Sequence, residues 1–247
     1  MHLKKILFLF IPVILLSACT KTQQQSMINS PETANQQTEI DRRSQAEVVI
    51  REFMNVSDLK LEYISTSKNP SNFTIGKTTV IGDGAFKIDT PPEWERPVYV
   101  FQQEGYINDR CEVYEYEVSV NSNQVIEVHI VYPEEIQNQA PTGNGPIKCD
   151  DYESLEVPLK SKAEIEESAL AYLQRGVTDF DKIKDELMYT PSKKDPVNFP
   201  VANEWSWQDD EYAWPEGWSG ENPRVRVIMS SGGKLIGYYN NLSLFTN

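Results

Sequence analysis

Residues 115–126 read Glu115-Tyr116-Glu117-Val118-Ser119-Val120-Asn121-Ser122-Asn123-Gln124-Val125-Ile126. The side chains alternate along a strand, a turn signal follows, and a second strand begins, so the stretch predicts a β-hairpin. A second hairpin of the same form is predicted at residues 225–236, which read Val225-Arg226-Val227-Ile228-Met229-Ser230-Ser231-Gly232-Gly233-Lys234-Leu235-Ile236. The two hairpins indicate an internal repeat.

Two further blocks repeat in the same order. Residues 44–47, Ser-Gln-Ala-Glu, match residues 161–164, Ser-Lys-Ala-Glu, and each block has the form of a capping box that starts a helix. Helical spacing then predicts buried positions at Ala46, Val49, Ile50 and Phe53 in the first helix, and at Ile165, Ala169, Tyr172 and Leu173 in the second. Residues 63–73 and 189–199 share a Lys-Asn/Asp-Pro-x-Asn-Phe core.

These blocks predict an α+β fold with two repeated modules, each one helix packed on a small antiparallel sheet. The first module is expected at residues 41–135 and the second at residues 161–247. Residues 136–160, which are rich in Pro, Gly, Asn and Gln, are expected to be the linker between them.

The N-terminus has the parts of an export signal: Lys4 and Lys5, an apolar run, and a small-residue exit. The last four residues, Leu16-Ser17-Ala18-Cys19, resemble the lipobox of bacterial lipoproteins. The alternative is a retained transmembrane helix, but the apolar run is shorter than the about 20 residues that a span needs.

The lipobox resemblance implies that residues 1–18 are a signal peptide, removed before Cys19, and that the cysteine carries lipid such as palmitate. Polar residues 19–40 are then expected to form a flexible tether. The resemblance places the protein outside the cytoplasm, held by lipid on the cell membrane or the outer membrane.

The charge of the chain disfavours one class of partner. Lys and Arg number 23 against 37 Asp and Glu, which gives a formal net charge of −14. Such a surface repels phosphate backbones, so no nucleic-acid partner is expected.

Three cysteines are present. With Cys19 assigned to lipid, Cys111 and Cys149 remain as an even pair in an exported chain, which favours a disulfide. Two free thiols or a metal pair are the alternatives, although a two-cysteine zinc site needs further ligands and the chain has only two histidines.

The helix, the strand and the terminal hairpin of each copy resemble the PepSY-type module of exported bacterial proteins. That module starts its helix with a Ser-Ala-Glu-like block and ends in a hairpin of the form Val-Asp-x-x-x-Gly-x-Val. Here the Asp position holds Asn121 and Ser230, and only Gly233 fills the glycine position. The loops at residues 73–96 and 199–222 are also longer than in the usual module. The resemblance implies a non-catalytic envelope module that binds or restrains a partner, with protease regulation as the suggested role.

His129 is the only histidine left once the signal is removed. Strand alternation places it with Glu127 on a solvent-exposed face, opposite Ile126, Val128, Ile130 and Tyr132. We therefore predict no catalytic residue, no metal ligand and no cofactor. A hydrolase that uses two of the many carboxylates is the remaining enzymatic alternative.

Four of the five tryptophans lie in one short stretch: Trp205, Trp207, Trp214 and Trp218. They predict either an aromatic platform for a ligand or side chains that complete a small core, and core packing is favoured. We thus expect a membrane-anchored, non-catalytic interaction or regulatory lipoprotein with a protein partner in the envelope. The alternative is a lipoprotein that binds a small molecule or glycan through the Trp205 to Trp218 loop.

Overall fold

The computed structural model describes residues 31–73, 75–80, 86–90, 94–108, 110–133, 149, 159–192, 203–216 and 218–245. The signal peptide, Cys19 and most of the predicted linker at residues 136–160 lie outside these residues. The helices are α1 (Pro31–Met54), α2 (Lys162–Gly176), α3 (Phe180–Ile183) and α4 (Leu242–Phe245), with a 3-10 turn at Lys184–Glu186. The strands are β1 (Leu61–Ser67), β2 (Ile75–Val80), β3 (Phe86–Asp89), β4 (Val98–Gln103), β5 (Val113–Ser119), β6 (Val125–Val131), β7 (Met188–Thr190), β8 (Asn203–Gln208), β9 (Trp218–Gly220), β10 (Arg224–Met229) and β11 (Leu235–Asn240).

The main sheet has eight antiparallel strands in the order β1-β4-β5-β6-β11-β10-β8-β7, with α1 and α2 against one face. The predicted α+β class is therefore confirmed. The expectation of two separate small sheets is wrong, because β6 pairs with β11 through Val128 opposite Tyr238 and Glu127 opposite Tyr239. We call residues 31–133 the first half and residues 159–245 the second half.

The strand order is the same when it is followed outward from the β6–β11 contact in either direction. The first half runs β6, β5, β4, β1, and the second half runs β11, β10, β8, β7. A three-stranded sheet in the order β3-β2-β9 takes strands from both halves. Each half therefore contributes four strands to the shared eight-stranded sheet and one long helix to the face that the helices cover.

The two long helices begin differently. Ser161 caps α2 in the predicted way: its hydroxyl accepts from the backbone N–H of Glu164, whose carboxylate accepts from the N–H of Ser161. The matching prediction for Ser44 is wrong, because α1 begins at Pro31 and proline is favoured at a first helical position. Residues 31–40 are accordingly helical, whereas the sequence predicted that they belong to a flexible tether.

One large core lies between the long helices and the sheet. The predicted helix positions Ala46, Ile50, Phe53, Ile165, Ala169 and Leu173 are at most 1% exposed, and Val49 and Tyr172 pack against them in part. From the sheet, the largest fully buried side chains include Tyr99, Phe101, Tyr116 and Trp205. The helical periodicity of the sequence therefore identified this core face correctly.

Each hairpin contains a register shift next to its turn. In the first, Glu117 pairs with Glu127 and Val118 with Val125, so Ile126 has no cross-strand partner. Ile126 consequently turns away from the helices and packs with Val98, Val100 and Leu244. The predicted face of Ile126 is wrong, because a bulge adds one residue to the alternation.

Residues with positive φ lie in both turns: Asn123 has a φ of 52° and Gly233 has a φ of 78°. The turns also close alike, since Ser119 N–H donates to Gln124 O and Ser230 N–H donates to Lys234 O. The first turn contains one more residue than the second. Glu117 therefore matches Ile228 by pairing, one position away from the match that the sequence suggests.

Candidate functional site

Four ionisable side chains meet on the sheet face opposite α1 and α2, which we call the far face. Glu115 and Glu117 come from β5, and Glu127 and His129 come from β6. The hairpin register sets Glu115 opposite His129 and Glu117 opposite Glu127. Because directly paired side chains of adjacent strands lie about 5 Å apart, this register brings the four groups together. We call them the acid–histidine cluster.

His129 bridges two carboxylates of this cluster. Its Nε2 lies 3.3 Å from Oε1 of Glu115, and its Nδ1 lies 3.3 Å from Oε1 of Glu127. The second oxygen of Glu115 accepts a hydrogen bond of 2.8 Å from Nε2 of Gln102 on β4. The cluster thus continues across three neighbouring strands.

A turn that follows β1 closes the cluster from outside the sheet. The backbone N–H of Ser71 donates to both carboxylate oxygens of Glu117, at 3.1 Å each. The Ser71 hydroxyl lies 3.4 Å from Oε2 of Glu127, and the side-chain amide of Asn72 donates to Oε1 of Glu127. Glu117 and Glu127 are only 2% and 3% exposed as a result.

Burial and proximity shift the pKa values in this cluster. Desolvation and the nearby charge of Glu127 raise the pKa of Glu117 to about 7, although hydrogen bonds from Ser71 oppose that rise. Desolvation lowers the pKa of His129, but hydrogen bonds and charge from Glu115 and Glu127 outweigh it and raise the pKa to about 10. Desolvation raises the pKa of Glu115, and its hydrogen bonds with His129 and Gln102 reverse this and lower it. His129 is therefore protonated at neutral pH and serves as the cation of the cluster.

The sequence predicted the face of His129 correctly but not its surroundings. Its side chain is 28% exposed and lies between two carboxylates, so it is not an exposed surface histidine. The three acids of the cluster were not singled out from the sequence. The available signal was the alternation of Glu115 with Glu117 and of Glu127 with His129 on paired strands, which puts like charges side by side.

The far face carries different groups beyond the β6–β11 contact. Tyr239 is 3% exposed, and the guanidinium carbons of Arg224 and Arg226 lie 5.7 and 5.9 Å from its ring centroid. Arg224 also pairs with Glu221, and Arg226 lies 3.8 Å from Glu204. Burial, followed by the charges of Glu221 and Glu127, raises the pKa of Tyr239, so this phenol stays neutral.

The four tryptophans named from the sequence do not form one platform. Trp205 is fully buried and Trp207 is 6% exposed, and both belong to the core under the long helices. The ring of Trp207 packs against Phe180 and Tyr189, with centroids 5.3 and 4.8 Å away. A ligand-binding role for Trp205 and Trp207 is not supported, because neither presents an open ring face to solvent.

Trp214 and Trp218 are half-buried in separate aromatic contacts. Trp218 stacks on Trp94 from the first half, with ring centroids 4.6 Å apart. Trp214 packs edge-on against Tyr212 and Phe245, and its indole N–H donates to Oδ1 of Asn222 at 3.0 Å. These contacts hold Trp214 and Trp218 in place, and part of each of the two rings stays accessible.

The predicted disulfide between Cys111 and Cys149 is confirmed. The Cα atoms are 5.3 Å apart, and Cys111 is fully buried with a φ of 61°. The bond joins the start of β5 to the region that precedes the second half.

The far face has limited chemical capacity. His129 pairs with Glu115 and Glu127, and the turn at Ser71 and Asn72 covers Glu117 and Glu127. Within the described part of the chain, no group of three or more His, Cys, Asp or Glu side chains is arranged to hold a metal ion. None of the helices described combines the length and apolar character that crossing a membrane requires.

No protein-family model and no curated protein matches the sequence. Among solved structures, the chain is similar to the YpeB C-terminal domain of Bacillus megaterium, with 12% sequence identity and a TM-score of 0.43. The match covers 83% of this chain and 65% of that chain, so this chain spans less than two thirds of that protein's length. At this identity and TM-score, the likeness assigns neither a family nor an activity to the chain.

Proposed function

We propose that the protein is an extracytoplasmic lipoprotein, anchored through Cys19, that presents two joined PepSY-like modules to a protein partner of the cell envelope. Its role is to bind or restrain that partner, without catalysis. The observation that carries the proposal is the matched strand order of the two halves on either side of the β6–β11 contact. One helix on an antiparallel set of strands in each half agrees with the module that the repeated sequence blocks predict.

The internal use of charge supports a non-catalytic role. Each member of the acid–histidine cluster pairs with another member or with the turn at Ser71 and Asn72. A general acid or base must reach a substrate, directly or through one water molecule. Glu117 and Glu127 are covered by the protein's own turn, which suits a structural role.

Membrane anchoring is tested with Cys19→Ala. We expect wild-type protein to incorporate labelled palmitate and to sediment with membranes, because two or more acyl chains anchor stably. The variant should incorporate no label, and it should either leave the membrane fraction or accumulate with its signal peptide uncut. Cys111→Ser is the matched control, since it removes a different cysteine and should leave labelling intact. Equal labelling of wild type and Cys19→Ala would overturn the anchor.

The partner role is tested by crosslinking in intact cells followed by purification from membranes. We expect a specific crosslinked protein with the anchored form, lost when Cys19→Ala releases the protein from the membrane. No crosslinked protein, together with a tryptophan fluorescence change on adding oligosaccharides, would overturn this proposal in favour of a glycan-binding lipoprotein. The half-buried rings of Trp214 and Trp218 are the groups that would report such binding.

A further inference from the structure

A polar cavity of about 300 Å³ lies between α1 and the turn that joins β5 to β6. Its lining residues are Arg42, Gln45, Tyr99, Val120, Asn121 and Asn123. It is separate from the acid–histidine cluster, since Tyr99 belongs to the core on the helix side of the sheet. This volume is at the lower end of the range found for small-ligand sites.

Most of the polar side chains that line this cavity make no polar contact with the other residues that the structure describes. Among the residues that the structure describes, the guanidinium of Arg42 forms no ion pair, and the side-chain amides of Gln45, Asn121 and Asn123 form no hydrogen bond. The hydroxyl of Tyr99, by contrast, donates to Oε2 of Glu39 at 3.0 Å. The ring of Tyr99 therefore supplies an apolar wall, and one cation and three amides remain available for a ligand.

The second half shows what occupies the corresponding place there. The chain crosses the β10–β11 turn just before α2 begins, and the backbone N–H of Lys160 donates to Ser231 O at 3.0 Å. The side chain of Lys160 lies against Gly233, with its Cδ 2.9 Å from where a Cβ would stand. A short extended segment of the protein itself thus covers the second turn.

Among the residues described in the first half, none covers the turn in this way, because α1 continues through the matching positions. Residues 42 and 43 are helical, whereas residues 159 and 160 precede their helix. The turn at residues 120–123 therefore keeps an open space beside the helix, where the second half holds extended chain.

We propose that this cavity binds the carboxyl-terminal end of an extended peptide, with the terminal carboxylate on Arg42. Guanidinium groups bind carboxylates through two parallel hydrogen bonds. Side-chain amides both donate and accept, as the N–H and C=O groups of a peptide backbone require. The ligand would cross the first turn as Lys160 crosses the second, with its free carboxylate as the added anchor.

Such a site would distinguish a peptide with a free terminal carboxylate from the same peptide with a terminal amide. A peptide with a terminal amide keeps the backbone contacts but loses the charge that Arg42 binds. The chain carries a net charge of −14, so it does not attract a negatively charged peptide over long distances. Recognition of the peptide carboxylate must therefore come from direct contact with Arg42. The site would bind such a peptide whether or not Cys19 carries lipid, so failure here leaves the anchor proposal intact.

The test is a titration of the protein with N-acetyl-trialanine, followed by two-dimensional ¹H–¹⁵N NMR. We expect saturable shifts of the side-chain amide signals of Gln45, Asn121 and Asn123. The C-terminally amidated tripeptide should bind at least tenfold more weakly. Arg42→Gln should weaken binding of the free acid at least tenfold and remove the difference between acid and amide.

Lys60→Gln is the matched control. It removes one exposed positive charge beyond the C-terminal end of α1, and its binding should equal that of wild type. Asn121→Ala provides a second variant in the turn, independent of the helix, and should also weaken binding. The proposal is overturned by the absence of saturable shifts, by equal binding of acid and amide to wild type, or by unchanged binding in Arg42→Gln.

Discussion

The two halves of the molecule share a strand order but use the far face differently. Residues of the two halves can be matched by their positions in the strand pairing of each hairpin. On the far face, the charged residues of the first half then have mostly uncharged or oppositely charged counterparts in the second half. The matches are Glu115 with Arg226, Glu117 with Ile228, Glu127 with Gly237, and His129 with Tyr239. The first half therefore buries acids around one imidazolium, and the second half sets two arginines around a phenol.

The face under the helices is more alike in the two halves. Phe101 and Trp205 occupy matching positions on β4 and β8, and both are fully buried. Tyr116 and Val227 are their buried partners on the neighbouring strands. A smaller partner accompanies the larger tryptophan, which keeps the space under the sheet filled. Packing therefore restrains the helix side to apolar residues, whereas the far face is able to diverge in charge.

The largest expected effect comes from emptying the matched core positions. Phe101→Ala and Trp205→Ala should each cost about 3 to 5 kcal/mol of the free energy of unfolding, because each leaves a cavity in a fully buried site. Since β6 and β11 join the halves into one sheet, both variants should lower one common transition. Denaturant unfolding followed by circular dichroism and by tryptophan fluorescence measures this.

Two separate transitions would break the comparison. If Phe101→Ala shifted only one of them and Trp205→Ala only the other, the halves would unfold independently and the shared sheet would not be cooperative. Val48→Ala is a suitable control, because this residue is 49% exposed on α1 and its truncation should have little effect.

The next effect concerns the acids that only the first half buries. The pKa of Glu117 in the folded protein, about 7, lies above its ordinary value of 4.5, so the folded state holds this proton more tightly than the unfolded state does. The resulting stabilisation is complete below about pH 4.5 and is lost as the pH rises through 7. Between pH 5 and 8 the wild type should lose about 2 to 3 kcal/mol from this group.

Glu117→Gln should remove that loss, because the amide stays neutral and still accepts from Ser71. Urea titrations at pH 5 and pH 8 measure the difference, and Glu167→Gln, an exposed acid on α2, is the control in the other half. His129 acts in the same direction at higher pH: its stabilisation is present below pH 6.5 and is lost as the pH rises through 10. A wild type equally stable at pH 5 and pH 8 would contradict the assignment for Glu117.

The smallest effect compares the two hairpin turns. Gly233→Ala should destabilise the protein by about 1 to 2 kcal/mol, because alanine is strained at a φ of 78°. Asn123→Gly should change stability by less than about 0.5 kcal/mol, since asparagine tolerates positive φ almost as glycine does. Thermal unfolding of both variants measures this. If Asn123→Gly lost as much stability as Gly233→Ala, the two turns would not be equivalent.

The predictions that the structure confirms rest mostly on local patterns in the sequence. The hairpins follow from alternation and turn residues, and the start of α2 follows from Ser161 and Glu164, which bond to each other. The disulfide follows from counting cysteines in a chain that the sequence predicts to be exported. Each of these features depends on residues close in sequence, or on a chemistry with few possible partners.

The remaining features depend on tertiary context. The β6–β11 pairing joins strands more than one hundred residues apart, and nothing in either strand specifies the partner. The face of Ile126 depends on a bulge, and the burial of Glu117 depends on the turn at Ser71, which lies far away in sequence. Four separately placed tryptophans likewise could not be divided into core and surface members without the fold.

The β6–β11 contact has a consequence for how the protein is made. A ribosome completes β6 roughly 110 residues before it completes β11, and at 5 to 20 residues per second the interval is about 5 to 20 s. Throughout that time the outer edge of β6 offers unpaired backbone groups beside buried apolar side chains, which is a template for aggregation. The first half of a nascent chain is therefore exposed to pairing with other strands at that edge until β11 has been made.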